Sequence, residues 1–214
     1  MAAAMTQTID GIEVPGKGIW EFDTHHTLLT WVARYLMVTK VHGIFKVFSG
    51  RIVVGDTVED SSVEVEIDAA SIDSNAPDRD NHLRSADFLD VENYPKLTFK
   101  STKVERTGDN SLRVTGDFTV RDVTKPIVLD VEYEGLQIDP FGRTKAAFSA
   151  SGEIDRDDWG VSWNMALEKG GWLVSKKIQL ELDVLAVAQT DEAESTGSAD
   201  TTESAEAAEA GTGS

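Results

Sequence analysis

Val63-Glu64-Val65-Glu66-Ile67-Asp68 alternates aliphatic and acidic residues without interruption. Successive side chains of a strand point to opposite faces, so this stretch reads as a strand with one dry side and one wet side. The same period of two recurs at Leu112, Val114, Gly116, Phe118 and Val120, at Ile127, Leu129, Val131 and Tyr133, and at Ile178, Leu180, Leu182 and Val184. The residues between are largely Asp, Glu, Arg, Thr and Gln. Turn chemistry separates the runs: Gly108-Asp109-Asn110, Thr124-Lys125-Pro126, and Asp139-Pro140-Phe141-Gly142 before the Ala146 to Ile154 run. The pattern is an antiparallel meander.

Less regular runs at Ile19 to Asp23, Thr27 to Val32, Lys46 to Val54, Leu97 to Val104 and Val161 to Met165 bring the expected total to about eight to ten strands, enough to curl or close a sheet. A closed barrel of this size either fills its interior with side chains or keeps room for one small ligand, and alternation does not decide between the two. Two segments break the rhythm. Arg34 to Val41 (RYLMVTKV) is expected to form about two helical turns, and Pro77 to Asp90 (PDRDNHLRSADFLD) a helix opened by Pro77, with Ser74 and Asn75 as candidate caps. The expected fold class is all-β, an antiparallel barrel with one or two short helices covering an opening.

The chain has 214 residues, 20 Lys and Arg against 38 Asp and Glu, a formal charge of −18, five prolines and no cysteine. Disulfides, thiol nucleophiles, iron–sulfur clusters and thiolate zinc sites are excluded. The acidity opposes unspecific binding to nucleic acid or to anionic lipid surfaces, both of which require a basic footprint. The charge is uneven. From Thr190 onward Asp191, Glu192, Glu194, Asp200, Glu203, Glu206 and Glu209 occur with no Lys or Arg, and setting these seven aside leaves −11 for the rest. That stretch has Ala as its sole apolar type and is expected to be a disordered acidic tail, 190–214. Residues 18–189 are expected to form one domain and 1–17 an N-terminal leader. The start has neither a basic segment nor an apolar run of a secretory signal, and no stretch is apolar enough to span a membrane, so a cytoplasmic location is expected.

The string Ala70-Ser71-Ile72-Asp73, then Arg79-Asp80-x-His82-Leu83-Arg84-Ser85-x-Asp87-Phe88 and Tyr94-Pro95-x-x-x-Phe99-x-Ser101, closely resembles the YceI-like family of bacterial lipocalin-like proteins. Further landmarks follow in the family's order: Trp20-x-Phe22-Asp23, Val41-x-Gly43-x-Phe45, Val114-x-Gly116-Asp117-Phe118-Thr119-Val120, Thr124-Lys125-Pro126 and Arg156-x-Asp158-Trp159-Gly160. They span Trp20 to Val187. The resemblance implies an extended lipocalin-like barrel whose pore binds a polyisoprenoid, an isoprenoid quinone or a related long apolar lipid. Many relatives carry an export signal and act in the periplasm, unlike the location expected here.

On this reading Phe22, Trp31, Phe45, Phe99, Phe118, Phe148, Trp159, Trp163 and Leu180 are expected to line the pore, and Arg79, His82 and Arg84 to meet the head group at its rim. For any single aromatic, plain barrel core is the competing reading. The cluster of Arg79, Asp80, His82, Arg84, Ser85 and Asp87 also invites a catalytic role for His82, against a structural one in which the charged groups tie the loop to backbone carbonyls. No nucleophile, base and orienting group can be assembled, and Ser85 lacks hydrolase surroundings. His25 and His26 are adjacent and would diverge on a strand, no metal-ligand spacing occurs, and the Asp155, Asp157, Asp158 run lacks the features of a calcium loop, with Arg156 expected to pair with Asp158. No catalytic residue, metal or required cofactor is therefore expected. The partner expected is a long-chain apolar lipid, held without catalysis and released by opening of the Pro77 to Asp90 segment, with a homodimer left open. The alternatives are an enzyme acting on an isoprenoid or lipid in the barrel, and an interaction module with a solid core.

Overall fold

The structure, a computed structural model, describes residues 6–9, 11–168 and 170–189. The expected tail lies outside them. The elements are β1 (Thr6–Ile9), β2 (Ile12–Pro15), β3 (Gly18–Phe22), β4 (Leu28–Tyr35), β5 (Thr39–Phe45), β6 (Phe48–Val54), β7 (Ser62–Asp68), β8 (Ile72–Asp73), α1 (Pro77–Arg84), β9 (Lys96–Arg106), β10 (Ser111–Val120), β11 (Val123–Ile138), β12 (Thr144–Asp155) and β13 (Lys177–Ala188). Short 3-10 turns occupy Ala69–Ser71 and Arg156–Trp159.

The strands close into an antiparallel barrel of eight staves. Three staves are broken in the middle. β3 and β4 both pair with β13, β5 and β6 pair with β4 and β3 in turn, and β7 and β8 pair with β6 and β5. The breaks fall side by side at 23–27, 46–47 and 69–71, a crease across one flank of the barrel. Leu185 of β13 bridges the first break, accepting from Asp23 N–H at 2.7 Å and donating its own N–H to Thr27 Oγ1 at 3.1 Å. The other staves are long and unbroken, and β12 pairs with β13 from Lys145↔Val187 to Asp155↔Lys177, which shuts the barrel.

Alternation places Leu97, Phe99, Val114, Phe118, Ile127 and Leu129 in one buried cluster. One end of the barrel, the helix end, carries α1 and the loop preceding β13. The opposite hairpin end carries β1–β2, a two-stranded sheet whose Ile12 and Val14 pack on Trp20, Tyr133, Ala146 and Ala186. The span assigned to a leader, 1–17, thus contains a packed hairpin, held by Tyr133 Oη donating to Glu13 O at 2.7 Å and Trp20 Nε1 donating to Gly16 O at 3.0 Å.

Two expected elements differ. Arg34 to Val41 is not a helix but the turn of the β4–β5 hairpin, with Tyr35 paired to Thr39. Val161 to Met165 is not a strand. It begins the loop before β13, where Ala166 and Trp172 make an isolated bridge. The helix α1 starts at Pro77 as expected but ends at Arg84, with turns in place of helix up to Asp90, and Ala76 occupies the cap position without a side-chain hydrogen bond while Ser74 bonds to Asp80.

Candidate functional site

The inward faces of the staves enclose a cavity of about 250 Å³. It begins under the hairpin at Ile12, Val14 and Pro15 and reaches Trp31, Phe45 and Phe118 toward the helix end. On β10 the wall runs from Leu112 to Phe118 and on β11 from Ile127 to Tyr133. Six residues of strand cover roughly 20 Å, or roughly 15 Å along the axis once barrel tilt is allowed for. A cavity so extended along the axis is a slot suited to a chain-like guest.

The wall is apolar along most of its length because each strand turns its aliphatic register inward. Val63, Val65 and Ile67 all lie on it, while Glu64 and Glu66 on the outer face bind Arg51, Lys100 and Lys96. Thr30 aside, the polar lining residues gather at the hairpin end: Gln7 from β1, Thr57 and Ser61 after β6, and Arg106, Asp109 and Asn110 around the β9–β10 turn. Trp31 carries a buried indole N–H without a partner among the described residues, and its ring lies across Gly43, where a Cβ would approach Cζ2 to 2.2 Å. A larger residue at position 43 would expel the indole.

Of the aromatic and aliphatic residues expected on the wall, Phe22, Trp31, Phe45, Phe99, Phe118, Phe148 and Leu180 are on it. Trp159 and Trp163 are not. Trp159 is buried beside the barrel end, its Nε1 donating to Phe118 O at 3.0 Å, and Trp163 stacks edge-on against His82 with centroids 4.6 Å apart. The wall residues that expectation omitted, including Leu129, Val114 and Leu182, belong to the same inward registers. Ile12 and Val14 lie beyond the resemblance altogether.

Arg79, His82 and Arg84 sit at the helix end, off the cavity wall and opposite its polar end. Arg84 donates from Nε to Ala70 O at 2.7 Å and from Nη2 to Ile72 O at 2.6 Å, and Arg79 holds Ser74 through Nε and Nη2. Arg84 therefore clamps α1 to the break before β8 and to β8 itself, and Arg79 clamps it to the residue that follows β8. His82 Nε2 lies 2.8 Å from Asp87 Oδ2, between Phe88 and Trp163. Arg156, expected to pair with Asp158, instead donates to Ser175 O at 3.1 Å and to Val161 O, fastening the loop before β13. Burial pulls its pKa down, partly countered by Asp157 and Asp155. These bonds make the helix end the tied end of the molecule.

At the hairpin end a partly buried charge network joins Lys145 to Asp23 at 2.8 Å and to Asp139 at 3.6 Å, with Arg143 on Asp139 and His26 on Asp23. Burial raises the pKa of Asp23, but hydrogen bonds from Lys145, His26 and His25 N–H outweigh it and hold the carboxyl well below the usual range. His25 and His26 lie in the turn after β3, and among the described residues no group of three or more His, Cys, Asp or Glu could hold a metal.

A family model described as the YceI-like domain matches residues 20–186. A UPF0312 protein of Pseudomonas putida is 36% identical over 165 residues, covering 77% of this chain and 82% of its own length. Protein YceI of Escherichia coli is 37% identical over 141 residues, covering 65% and 73%. Among solved structures, a YCEI protein of Campylobacter jejuni is similar with TM-score 0.63 and 30% identity over 73% of this chain and 90% of that one. A polyisoprenoid binding domain from Saccharophagus degradans shares the fold with TM-score 0.61 at 14% identity over 79% and 98%. Closed barrel, motif order and family match agree: the chain belongs to the YceI-like family.

Proposed function

We propose that the protein binds a long apolar chain, a polyisoprenoid or the tail of an isoprenoid quinone, lengthwise in the barrel and carries or sequesters it without chemical change. The observation that carries this reading is the apolar slot from Ile12 to Trp31, with most of its polar lining residues at one end. Burial is worth roughly 25 cal/mol per Å² of apolar surface removed from water, so a chain lying along the slot needs few polar contacts for useful affinity. The head group rests at the hairpin end, among Gln7, Thr57, Ser61, Arg106, Asp109 and Asn110. The polar end gives this placement its support, and the hydrogen bonds that occupy Arg79 and Arg84 argue against the helix end. The family relationship and the printed name of the Saccharophagus neighbour support the ligand class.

The same reading assigns no catalytic residue and requires no resident cofactor. The cavity wall carries no histidine, and the His82–Asp87 pair lies off it. Extraction of the natively purified protein followed by mass spectrometry tests the proposal, together with titration by all-trans-retinol and by menaquinone. Recovery of an unmodified isoprenoid near one per protein, and saturable binding of either probe, are expected. A protein that is consistently empty and binds neither probe would sink the idea, and conversion of the bound lipid on incubation would replace it with an enzyme. The cytoplasmic location belongs to the proposal and is tested by cell fractionation.

A further inference from the structure

The tip of the β4–β5 hairpin and the loop before β13 form one exposed apolar surface. Tyr35, Leu36, Met37, Val38, Met165 and Trp172 all face water, Val38 by 75% and Met165 by 56%. They are joined. Leu36 N–H donates to Leu173 O at 2.8 Å, Leu173 N–H donates to Met165 O at 2.9 Å, Tyr35 bridges to Val174, and a Cβ on Gly171 would lie 3.9 Å from Met37 Cγ. Contiguous apolar groups of this kind mark an interaction site far more often than scattered ones do.

The backbone beneath them is strained. Leu36 and Met37 have φ of 52° and 61°, and Val38 N–H donates to Tyr35 O at 3.1 Å, the form of a turn for which Asn-Gly is preferred. Large apolar side chains disfavour this conformation, and here burial compensates only in part, because Leu36 and Met37 stay 43% and 50% exposed. Folding alone would be better served by small polar residues. Charge supplies a second observation. In a chain of net −18, no Asp or Glu occurs from Thr27 to Gly55, whereas Arg34, Lys40, Lys46 and Arg51 do. Arg34 and Lys40 flank the tip without a carboxylate partner among the described residues, the Arg34 guanidinium meeting Val38 O at 3.4 Å. Behind the patch, Val41 and Val174 pack against Ala33 and Trp31, and Trp31 is on the cavity wall.

We propose that this patch docks the protein on the surface of a phospholipid bilayer. Leu36, Met37 and Val38 enter the acyl boundary, Tyr35 and Trp172 sit at headgroup depth, and Arg34 and Lys40 meet lipid phosphates. The global acidity that opposes anionic surfaces is locally reversed at this tip. The inference rests on reading the barrel as a lipid binder, and it sets the bilayer at the helix end, opposite the proposed head-group site.

The test is flotation of the full-length protein with vesicles of phosphatidylcholine containing a minor fraction of phosphatidylglycerol, and quenching of tryptophan emission by brominated phosphatidylcholine. Wild type is expected to float and to be quenched, and Trp172→Phe to lose most of the quenching. Met37→Ser with Val38→Asp is expected to weaken partitioning roughly tenfold or more while keeping the wild-type circular dichroism. Equal partitioning of wild type and the double variant, or none by wild type, overturns the proposal. So does a wild-type dimer in sedimentation that the double variant abolishes, which would make a second copy the occupant. Retinol titration of the same samples separates the two readings: flotation without retinol binding defeats the cargo and leaves docking standing, and retinol binding without flotation does the reverse.

Discussion

At the scale of single residues, the cavity owes its shape to what each inward position withholds as much as to what it supplies. Gly116 interrupts the inward register of β10, and a Cβ there would lie 2.5 Å from Phe99 Cζ and 2.6 Å from Lys100 O. The backbone oxygen cannot move aside cheaply. Gly116→Val is therefore expected to cost about 1–3 kcal/mol, the usual range for overpacking, read from the urea midpoint. Leu129 makes the converse test, because it borders open space. Leu129→Trp fills the slot and is expected to abolish retinol binding at least tenfold while changing the melting temperature by only a few degrees. Retinol affinity equal to wild type in that variant would place the chain elsewhere. Gly116 was legible as one inward position of an alternating run, but the atoms that forbid a side chain come from β9. Proximity across strands is a property of register, which alternation within one strand does not contain.

At the scale of elements, strands with a clean period of two read correctly, whereas three segments did not. Arg34 to Val41 contains helix-favouring Leu, Met and Lys and no Gly or Asn to announce a turn, so the left-handed residues at its tip had no local sign. Val161 to Met165 is apolar because Val161 and Trp163 pack under α1, not because a ladder continues. The β1–β2 hairpin did carry a signal, Asp10-Gly11 between Ile9 and Ile12, and Gly11 adopts the positive φ such a turn requires. This hairpin precedes the family-matched residues and pairs only with itself, so few bonds hold it. Tyr133→Phe removes the one to Glu13 O. The expected loss is about 1 kcal/mol, with faster amide exchange in residues 6–15 and unchanged protection in β9 to β13. Uniform loosening of the barrel in that variant would show that the hairpin is not a separate unit. Burial, and then the charge of Glu13, push the Tyr133 phenol up to about 12, so the tether is complete below pH 10 and is lost as pH rises through the folded value.

At the scale of the whole molecule, some of the outward acids read from the alternating strands, Glu64, Glu66 and Asp130 among them, are matched by neighbouring cations, and the exceptional carboxylate is Asp23. Its folded pKa is depressed below the ordinary 3.8. The unfolded chain therefore takes up this proton first, so the stability contributed by Asp23 is present above the unfolded value and is lost as pH falls toward the folded one. Urea midpoints are expected to drop between about pH 4 and pH 2, and Asp23→Asn to flatten that part of the curve. An unchanged slope in the variant would assign acid sensitivity to other groups.

Closure of the barrel has a kinetic side. With β13 bonded to β12 on one flank and to β3 and β4 on the other, the wall is continuous at that joint, and its weak line is the crease of broken staves, where β8 ends the ladder. A chain that passes end-on moves one repeat unit after another, so exchange by that route is a threading process. Residence time should then climb with the number of isoprene units inside the slot and level off for units that protrude, whatever the head group. The barrel thereby measures its cargo by how long it takes to leave.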